Sequence, residues 1–346
     1  MLEGGGQILR TTVALAALLE KDVKVTRIRA KRRNPGLQAQ HITAVKAVAA
    51  ISNAETEGLQ LRSDELVFRP RGHATGQFRF DVGTAGSIPL ILQAAMPSAA
   101  FAQNPITLEL TGGTDVPWSP TIDYVRLVEL PVLAQLGYKA ALTVHRRGHY
   151  PKGGGLVTMT IDPPKFLNAF QMIDRGSPQG VNGISHCVKL PSHVAQRQAA
   201  AAKQKLENEG IQEVNIAIET YSPNQDPHAA PGSGIALAAK FANGQVLGAD
   251  GIGERGKPAE RVGEEAANNL LAELHSNASV DRHMGDILIP YMAVAEGCSE
   301  IHLSKITTHT ITNIKVAEIL SGVKFNVQGE LNQAGTISVE GLGLRT

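Results

Sequence analysis

Two kinds of residue in this chain are suited to phosphate chemistry: glycine runs that bare backbone N–H groups, and arginines and histidines set among polar side chains. Glu3-Gly4-Gly5-Gly6-Gln7, Gly83-Thr84-Ala85-Gly86-Ser87 and Gly153-Gly154-Gly155 lack the Cβ atoms that hold a phosphate away from the backbone, and two of these runs precede predicted helices. None continues into the Gly-Lys-Ser/Thr of a nucleotide P-loop, and a tight turn is the plainer explanation of any one alone. Arg27, Arg29, Lys31, Arg32 and Arg33 lead into Asn34-Pro35-Gly36. Guanidinium forks grip phosphate at two points, although charge guarding an edge strand explains such a run as well. Of the eleven histidines, His302 lies on an alternating strand, Glu300 to Ser304, opposite Ile301 and Leu303. His309 lies in Thr307-Thr308-His309-Thr310-Ile311-Thr312-Asn313, a strand-to-helix connection dense in hydroxyl and amide groups. A neutral imidazole is a nucleophile at pH 7; an ordinary polar connection is the alternative. Asp286, just before the apolar run Ile287 to Val294, reads first as a helix N-cap.

The elements that must position these groups follow one another in a recurring order of strand, glycine turn and helix. Gln7 to Leu19, His41 to Ile51, Ile88 to Ala95 and Thr121 to Leu136 carry helical patterns. Val23 to Ala30, Phe78 to Val82 and Ile106 to Leu110 read as strands, the first placing Arg27 and Arg29 on one face. From about Val181 to Asn277 the texture changes. A strand (Ile184 to Leu190), an Ala- and Gln-rich helix (Ser192 to Gly210), a strand (Val214 to Glu219), a hairpin round Asn243-Gly244 and a helix (Pro258 to His275) have a logic of their own. The expectation is an α/β (α+β) chain. A large domain of repeated α/β units, residues 1–180 and 278–346, is interrupted by a smaller inserted α/β domain, residues 181–277. Gly251-Ile252-Gly253-Glu254-Arg255-Gly256 matches GxGxxG literally, but Lys257-Pro258 follows it and no acidic residue closes a second strand, so a plain loop is expected.

Composition narrows the function further. At 346 residues the chain exceeds one ordinary core. A net charge of +1 confines any nucleic-acid contact to local patches, and 4% aromatics argues against a row of base-stacking platforms. Two distant cysteines, Cys187 and Cys298, form no CxxC pair and suit a reducing cytosol. No apolar run is long enough to span a bilayer, and the first residues lack the marks of a signal peptide, so a cytoplasmic protein without membrane contact is expected.

Several of these segments, in order, resemble the RNA 3'-terminal phosphate cyclases: Glu3 to Arg10, Arg29-Ala30 with Pro35-Gly36-Leu37 and Gln40-His41, Gly83 to Ser87, Gly112-Gly113-Thr114-Asp115, His149-Tyr150-Pro151 with Gly153 to Gly155, and His309 with Thr312-Asn313. The combination is specific although no single piece is, and the match weakens in the insert. The resemblance implies an ATP-dependent enzyme acting on RNA with a 3'-terminal phosphate, with a covalent adenylyl-histidine, an RNA-adenylate, and a 2',3'-cyclic phosphate as product. By position it implies His309 as nucleophile and Glu3 as a carboxylate for Mg2+ or Mn2+. Arg10, Arg29, Arg32 and Gln40 become phosphate and nucleotide contacts. Gln93, Pro120 and the stretch His283, Met284, Gly285, Asp286 and Ile287 become the ATP pocket, with Asp286 its most important member. Self-association is left open.

Family members usually carry a short strand before the Glu-Gly-Gly-Gly motif, whereas Met1-Leu2 opens this sequence, so an open sheet edge, a loosely held Glu3 and impaired catalysis are expected. Two rivals remain. Cyclase-like assembly factors of ribosomal RNA processing lack the histidine that His309 supplies, and enolpyruvyl-transferase-like enzymes share repeated α/β units but need neither ATP nor a histidine nucleophile.

Overall fold

The computed structural model describes residues 4–345, and Glu3 lies outside them. The helix Gly6–Leu18 is apolar almost all round, with Leu9 and Val13 to Leu18 buried, so it must be enclosed rather than lie on a surface. Three helices enclose it: Ala39–Ile51, Ile88–Ala99 and Thr308–Ser321. Three small sheets surround this helical centre. One pairs Val23–Val25 and Glu55–Glu57 with Leu66–Arg69. The second orders Gly76–Asp81, Ile106–Gly112, Gly155–Asp162 and Lys139–Arg146, the first pair parallel and the others antiparallel. Ile106, Leu108 and Leu110 of this sheet alternate inward with the strand period. The third orders Asn326–Gln328, Gly335–Glu340, Cys298–Leu303 and Gln171–Met172.

A fourth sheet has a separate hydrophobic cluster. Val214–Glu219 runs parallel to Pro178–Val188, joined by the crossover helix His193–Asn208, as a parallel pair requires. Gly232–Phe241 and Val246–Ile252 extend it as a hairpin whose turn places Gly244 at φ 87°. The helices His193–Asn208 and Ala259–His275 pack on each other and on one face, burying Leu206, Leu237, Leu247, Val262 and Leu270. The other face rests on residues 122–129, where a Cβ on Gly248 would stand 2.4 Å from Val128, so the approach needs glycine. Among the described residues no helix is long and apolar enough to cross a membrane.

Four local expectations change. The strand from Val23 ends at Val25, because the Ile28 N–H turns to Asp64 O and Gly36 N–H to Ile28 O. Arg27 (φ 55°) and Arg29 (φ 54°) therefore sit in left-handed turns, not on one strand face. The helix expected over Thr121 to Leu136 breaks into Ile122–Tyr124, a π-helical turn Val125–Glu129 and Leu130–Ala134; Pro131, lacking an N–H, removes one ordinary helical bond there. His309 lies not in a connection but in the first turn of Thr308–Ser321, since Thr307 and Thr310 cap that helix reciprocally. Asp286 is no N-cap; Asp281 caps Arg282–Ile287, accepting from the N–H groups of His283 and Met284.

Candidate active site

A cavity of about 590 Å³ opens where the helical centre meets the fourth sheet, a volume suited to a nucleotide-sized ligand. His309 enters from the first turn of its helix, where bare N–H groups and the helix dipole favour negative charge. Its backbone is fixed from the helix Gly6–Leu18: Gln7 Nε2 donates to His309 O at 2.7 Å, and Thr11 Oγ1 donates to Asn313 Oδ1 at 2.7 Å. Asn313 Nδ2 in turn donates to Asp286 O at 2.8 Å, locking the segment Arg282–Ile287 to the same helix.

Asp286 is the residue on which this corner converges. Its Oδ1 accepts from Thr307 Oγ1 at 2.9 Å and Thr310 Oγ1 at 2.6 Å, while Oδ2 stands 3.7 Å from His309 Nδ1. Burial pushes the Asp286 carboxyl above the usual carboxylate range, and the two threonine hydroxyls and the nearby histidines oppose that rise. A carboxylate facing Nδ1 favours the tautomer with its proton there, which puts the nucleophilic lone pair on Nε2.

Arg10 lines the same cavity. Burial lowers its pKa to about 10, so it stays charged at neutral pH, and no carboxylate pairs with it among the described residues. Gln93, Pro120, His283 and Ile287 complete the expected wall, with His283 edge-on to Tyr124 at 5.7 Å. Seven of the anticipated site residues are thus brought together: Arg10, Gln93, Pro120, His283, Asp286, Ile287 and His309.

A family profile described as RNA 3'-terminal phosphate cyclase matches residues 1–327. RNA 3'-terminal phosphate cyclases of Ignicoccus hospitalis (49% identical, covering 98% of this chain and 96% of that one) and Hyperthermus butylicus (50%, covering 98% and 96%) are similar over nearly their whole lengths. That of Methanopyrus kandleri is 47% identical, covering 97% of this chain and 96% of its own. The chain belongs to the RNA 3'-terminal phosphate cyclase family.

The remaining cyclase positions fall elsewhere. Arg29 Nη1 donates to Asn34 O at 2.5 Å and Gly36 O at 2.9 Å, so it closes its own loop and does not line the cavity. Arg32 reaches back to Gly5, where a Cβ would stand 3.4 Å from its Nη2. Arg32 thus flanks the glycine run, and Arg10 and Arg29 together act on His41. Burial first, then those two charges, hold the His41 imidazole at about 3. Gln40 Oε1 accepts from Ser87 N at 3.1 Å and holds the Gly83 to Ser87 turn in place. Of residues 283–287, Met284 and Gly285 do not line the cavity: Met284 is wholly buried in the main core, and a Cβ on Gly285 would meet Leu303 at 2.8 Å. One helical turn offers the cavity only one side.

The Gly153 to Gly155 run serves backbone packing. A Cβ on Gly153 would lie 2.7 Å from Thr84 O, and one on Gly155 2.7 Å from Gly148 N. The Gly251 loop follows an antiparallel strand, which excludes a dinucleotide βαβ unit, yet Asp250, Gly251, Glu254 and Lys257 line the cavity. Sequence reasoning missed these, as it missed Gln7, Thr11 and Trp118. Gln7 and Thr11 share the buried helical pattern of their neighbours and give no separate signal. Trp118 does give one, being the sole tryptophan, and it is 98% exposed with φ 62° at the cavity rim.

Proposed function

We propose that the chain converts the 3'-phosphate of an RNA end to a 2',3'-cyclic phosphate at the expense of ATP, through adenylated His309. The observation that carries this is the grouping of His309, Asp286 and Arg10 on one cavity of nucleotide size, in a chain of the cyclase family. His309 Nε2 attacks the α-phosphorus of ATP; the P–N bond forms and the bond to pyrophosphate breaks. An oxygen of the RNA 3'-phosphate then takes the adenylyl group, breaking the P–N bond. The vicinal 2'-hydroxyl closes on the 3'-phosphorus, loses its proton and expels AMP. Activation is needed because a phosphate monoester has no good leaving group, whereas AMP is one.

Each residue has a definite task in this scheme. Asp286 holds the Nδ1 proton and orients the ring, Arg10 offsets phosphate charge, and the helix start at Thr308 directs N–H groups towards the same charge. Arg29 and Arg32 reach the triphosphate only if it extends over Gly4 to Gly6. Gln93, Pro120, His283 and Ile287 bound the nucleoside. Trp118, exposed at the rim, offers a face on which a base can stack. Among the described residues the cavity has no three side chains that could hold a metal by themselves. Mg2+ or Mn2+ bound by one carboxylate and the substrate phosphates needs none; Glu3 would supply that carboxylate, and the ion would supply charge neutralisation at the phosphates. The separate hydrophobic cluster of the fourth sheet supports reading residues 181–277 as an inserted domain in a core of 1–180 and 278–346. Both free cysteines suit the cytosol.

Incubation with α-labelled ATP and Mg2+ or Mn2+ tests the reading. Label should stay with the denatured protein, vanish in His309→Ala, and be chased by RNA ending in a 3'-phosphate but not a 3'-hydroxyl. Absence of label from the folded wild-type chain would sink the adenylyl-histidine.

A further inference from the structure

Behind the cavity wall lies a second, sealed group of polar side chains that the proposed chemistry does not use. Asp115, at the end of the Gly112 turn, His149, in the segment between two strands, and His186, on Pro178–Val188, converge from three distant parts of the chain. One ligand atom from each lies within 4.8 Å of the other two, and all three side chains are buried, at 1%, 4% and 1% exposure. Among the described residues, Asp115 Oδ1, His149 Nε2 and both ring nitrogens of His186 have no hydrogen-bond partner. Buried polar atoms are rarely left unpaired, so the arrangement calls for a ligand.

The sign of that ligand follows from charge. Asp115, Asp123 and Glu219 surround Arg147, at 3.4, 2.8 and 2.7 Å, and Arg126 adds one more guanidinium at 2.6 Å from Asp123. Three acids face two bases, which leaves a negative surplus beside the two imidazoles. Both imidazoles are enclosed, and each leaves a ring nitrogen open to such a ligand. A third imidazole is near enough for its charge to reach both rings. His228 Nδ1 lies 2.8 Å from Asp226 Oδ1, the carboxylate–histidine arrangement that orients a metal ligand, and its Nε2 is likewise buried without a partner.

We propose that Asp115, His149 and His186 bind a zinc ion, with a water as fourth ligand and His228 beside them. The donor set selects zinc over Mg2+: two imidazoles with one carboxylate and a water make an ordinary four-coordinate zinc site, whereas Mg2+ takes oxygen. Arg147, on Asp115 Oδ2, orients that carboxylate while Oδ1 turns to the metal. The ion fastens the 112–120 turn, whose far end supplies Trp118, Ser119 and Pro120 to the cavity, to the fourth sheet. The strand Gly232–Phe241 is shaped for it too, since a Cβ on Gly232 would lie 2.0 Å from the His149 ring.

The full chain, purified without a metal-affinity step, would be stripped with a chelator, titrated with ZnCl2 against a chromophoric chelator, dialysed and analysed for metal. A single retained zinc is expected, giving visible bands of tetrahedral geometry when replaced by Co2+. It should be lost in His149→Ala and His186→Ala, kept in His309→Ala, and unaffected by excess Mg2+. If the histidine variants do not fold, the wild-type chain alone decides, through its zinc stoichiometry, its Co2+ spectrum and a rise in melting temperature on adding zinc. A folded wild-type chain that retains no zinc overturns the proposal. So does zinc that survives in both folded variants, which is adventitious surface metal, or zinc lost with His309. None of these outcomes alters the adenylation test, so the two readings fail separately.

Discussion

The turn from Gly112 to Pro120 is shared by two clusters of charge that are unbalanced in opposite senses. At the cavity, Arg10 keeps its positive charge with no carboxylate beside it among the described residues, and His309 and Asp286 stand partly open to solvent, at 49% and 18% side-chain exposure. In the sealed cluster, Arg147 is wholly enclosed and outnumbered by acids. Burial alone would lower its pKa, yet Asp123, Glu219 and Asp115 raise it; in return the Arg147 fork holds Glu219 at about 2 against burial, which would raise it. A cation awaiting an anion marks a place where phosphate arrives and leaves. Acids in excess round enclosed imidazoles mark a place where a cation, once bound, stays.

The largest effect that could break this contrast is expected at Arg147. Arg147→Ala takes the shared guanidinium from three carboxylates, two of them fully buried, and leaves only Asp123 with a guanidinium partner, Arg126, so it should cost about 3–5 kcal/mol of unfolding free energy in urea. A loss below about 1 kcal/mol would mean that the acids are already protonated and that the cluster is not ionic. Next is Asp286→Asn, which keeps an oxygen for Thr307 and Thr310 but removes the charge facing His309 Nδ1. The rate of label transfer to the enzyme should fall about 10²–10³-fold while the melting temperature holds. A variant that melts early at full rate would make Asp286 structural, like Arg147.

The two clusters also differ in how much of each could be read from the chain. His309 stood out as a histidine among threonines, whereas Asp286, whose local signal was that of a helix cap, entered the site only through the family resemblance. The repeated strand, turn and helix order likewise gave the α/β class. That Met284 and Gly285 turn away from the cavity was not legible, because a stretch of sequence does not say which side of one helical turn faces it. The Gly251 loop was discounted on its motif, rightly as a dinucleotide site, yet it lines the cavity because a distant hairpin carries it there. The sealed cluster was invisible for a similar reason. Asp115, His149 and His186 come from three segments, and only the docking of the fourth sheet brings His186 to the other two. Alternation could not foresee that Arg27 and Arg29 leave the strand, since backbone bonds from Ile28 to distant Asp64 and Gly36 turn the chain there.

Glu129 sharpens the comparison as an enclosed acid with no cation paired to it among the described residues. Burial raises it from 4.5 to about 8, and Tyr124, Tyr138 and Tyr291 are the titratable groups that feel its charge. Its contribution to stability is therefore whole below pH 4.5 and is lost as pH rises towards 8, a span worth at most about 3–5 kcal/mol. His41, held at about 3, acts in the opposite sense: its contribution is whole above 6.5 and is lost as pH falls towards 3. Glu129→Gln should raise the melting temperature at pH 8, leave it nearly unchanged at pH 5, and flatten the decline between. An equal shift at both pH values would show that packing, not the proton, decides.

Trp118 provides the smallest and most selective test, because it touches only the open side. Fully exposed and held at φ 62°, it contributes little to the core, so Trp118→Ala should leave melting temperature and zinc content unchanged. Loss of one stacked base should weaken binding by about 1–3 kcal/mol, a 5- to 150-fold rise in KM. Which substrate shows the rise tells where the indole lies. A higher KM for ATP in the label-transfer step places it over adenine, whereas an unchanged first step with slower chase by 3'-phosphorylated RNA places it over the terminal base. If neither changes, the rim plays no part in recognition, and the working surface contracts to Arg10, Asp286 and His309.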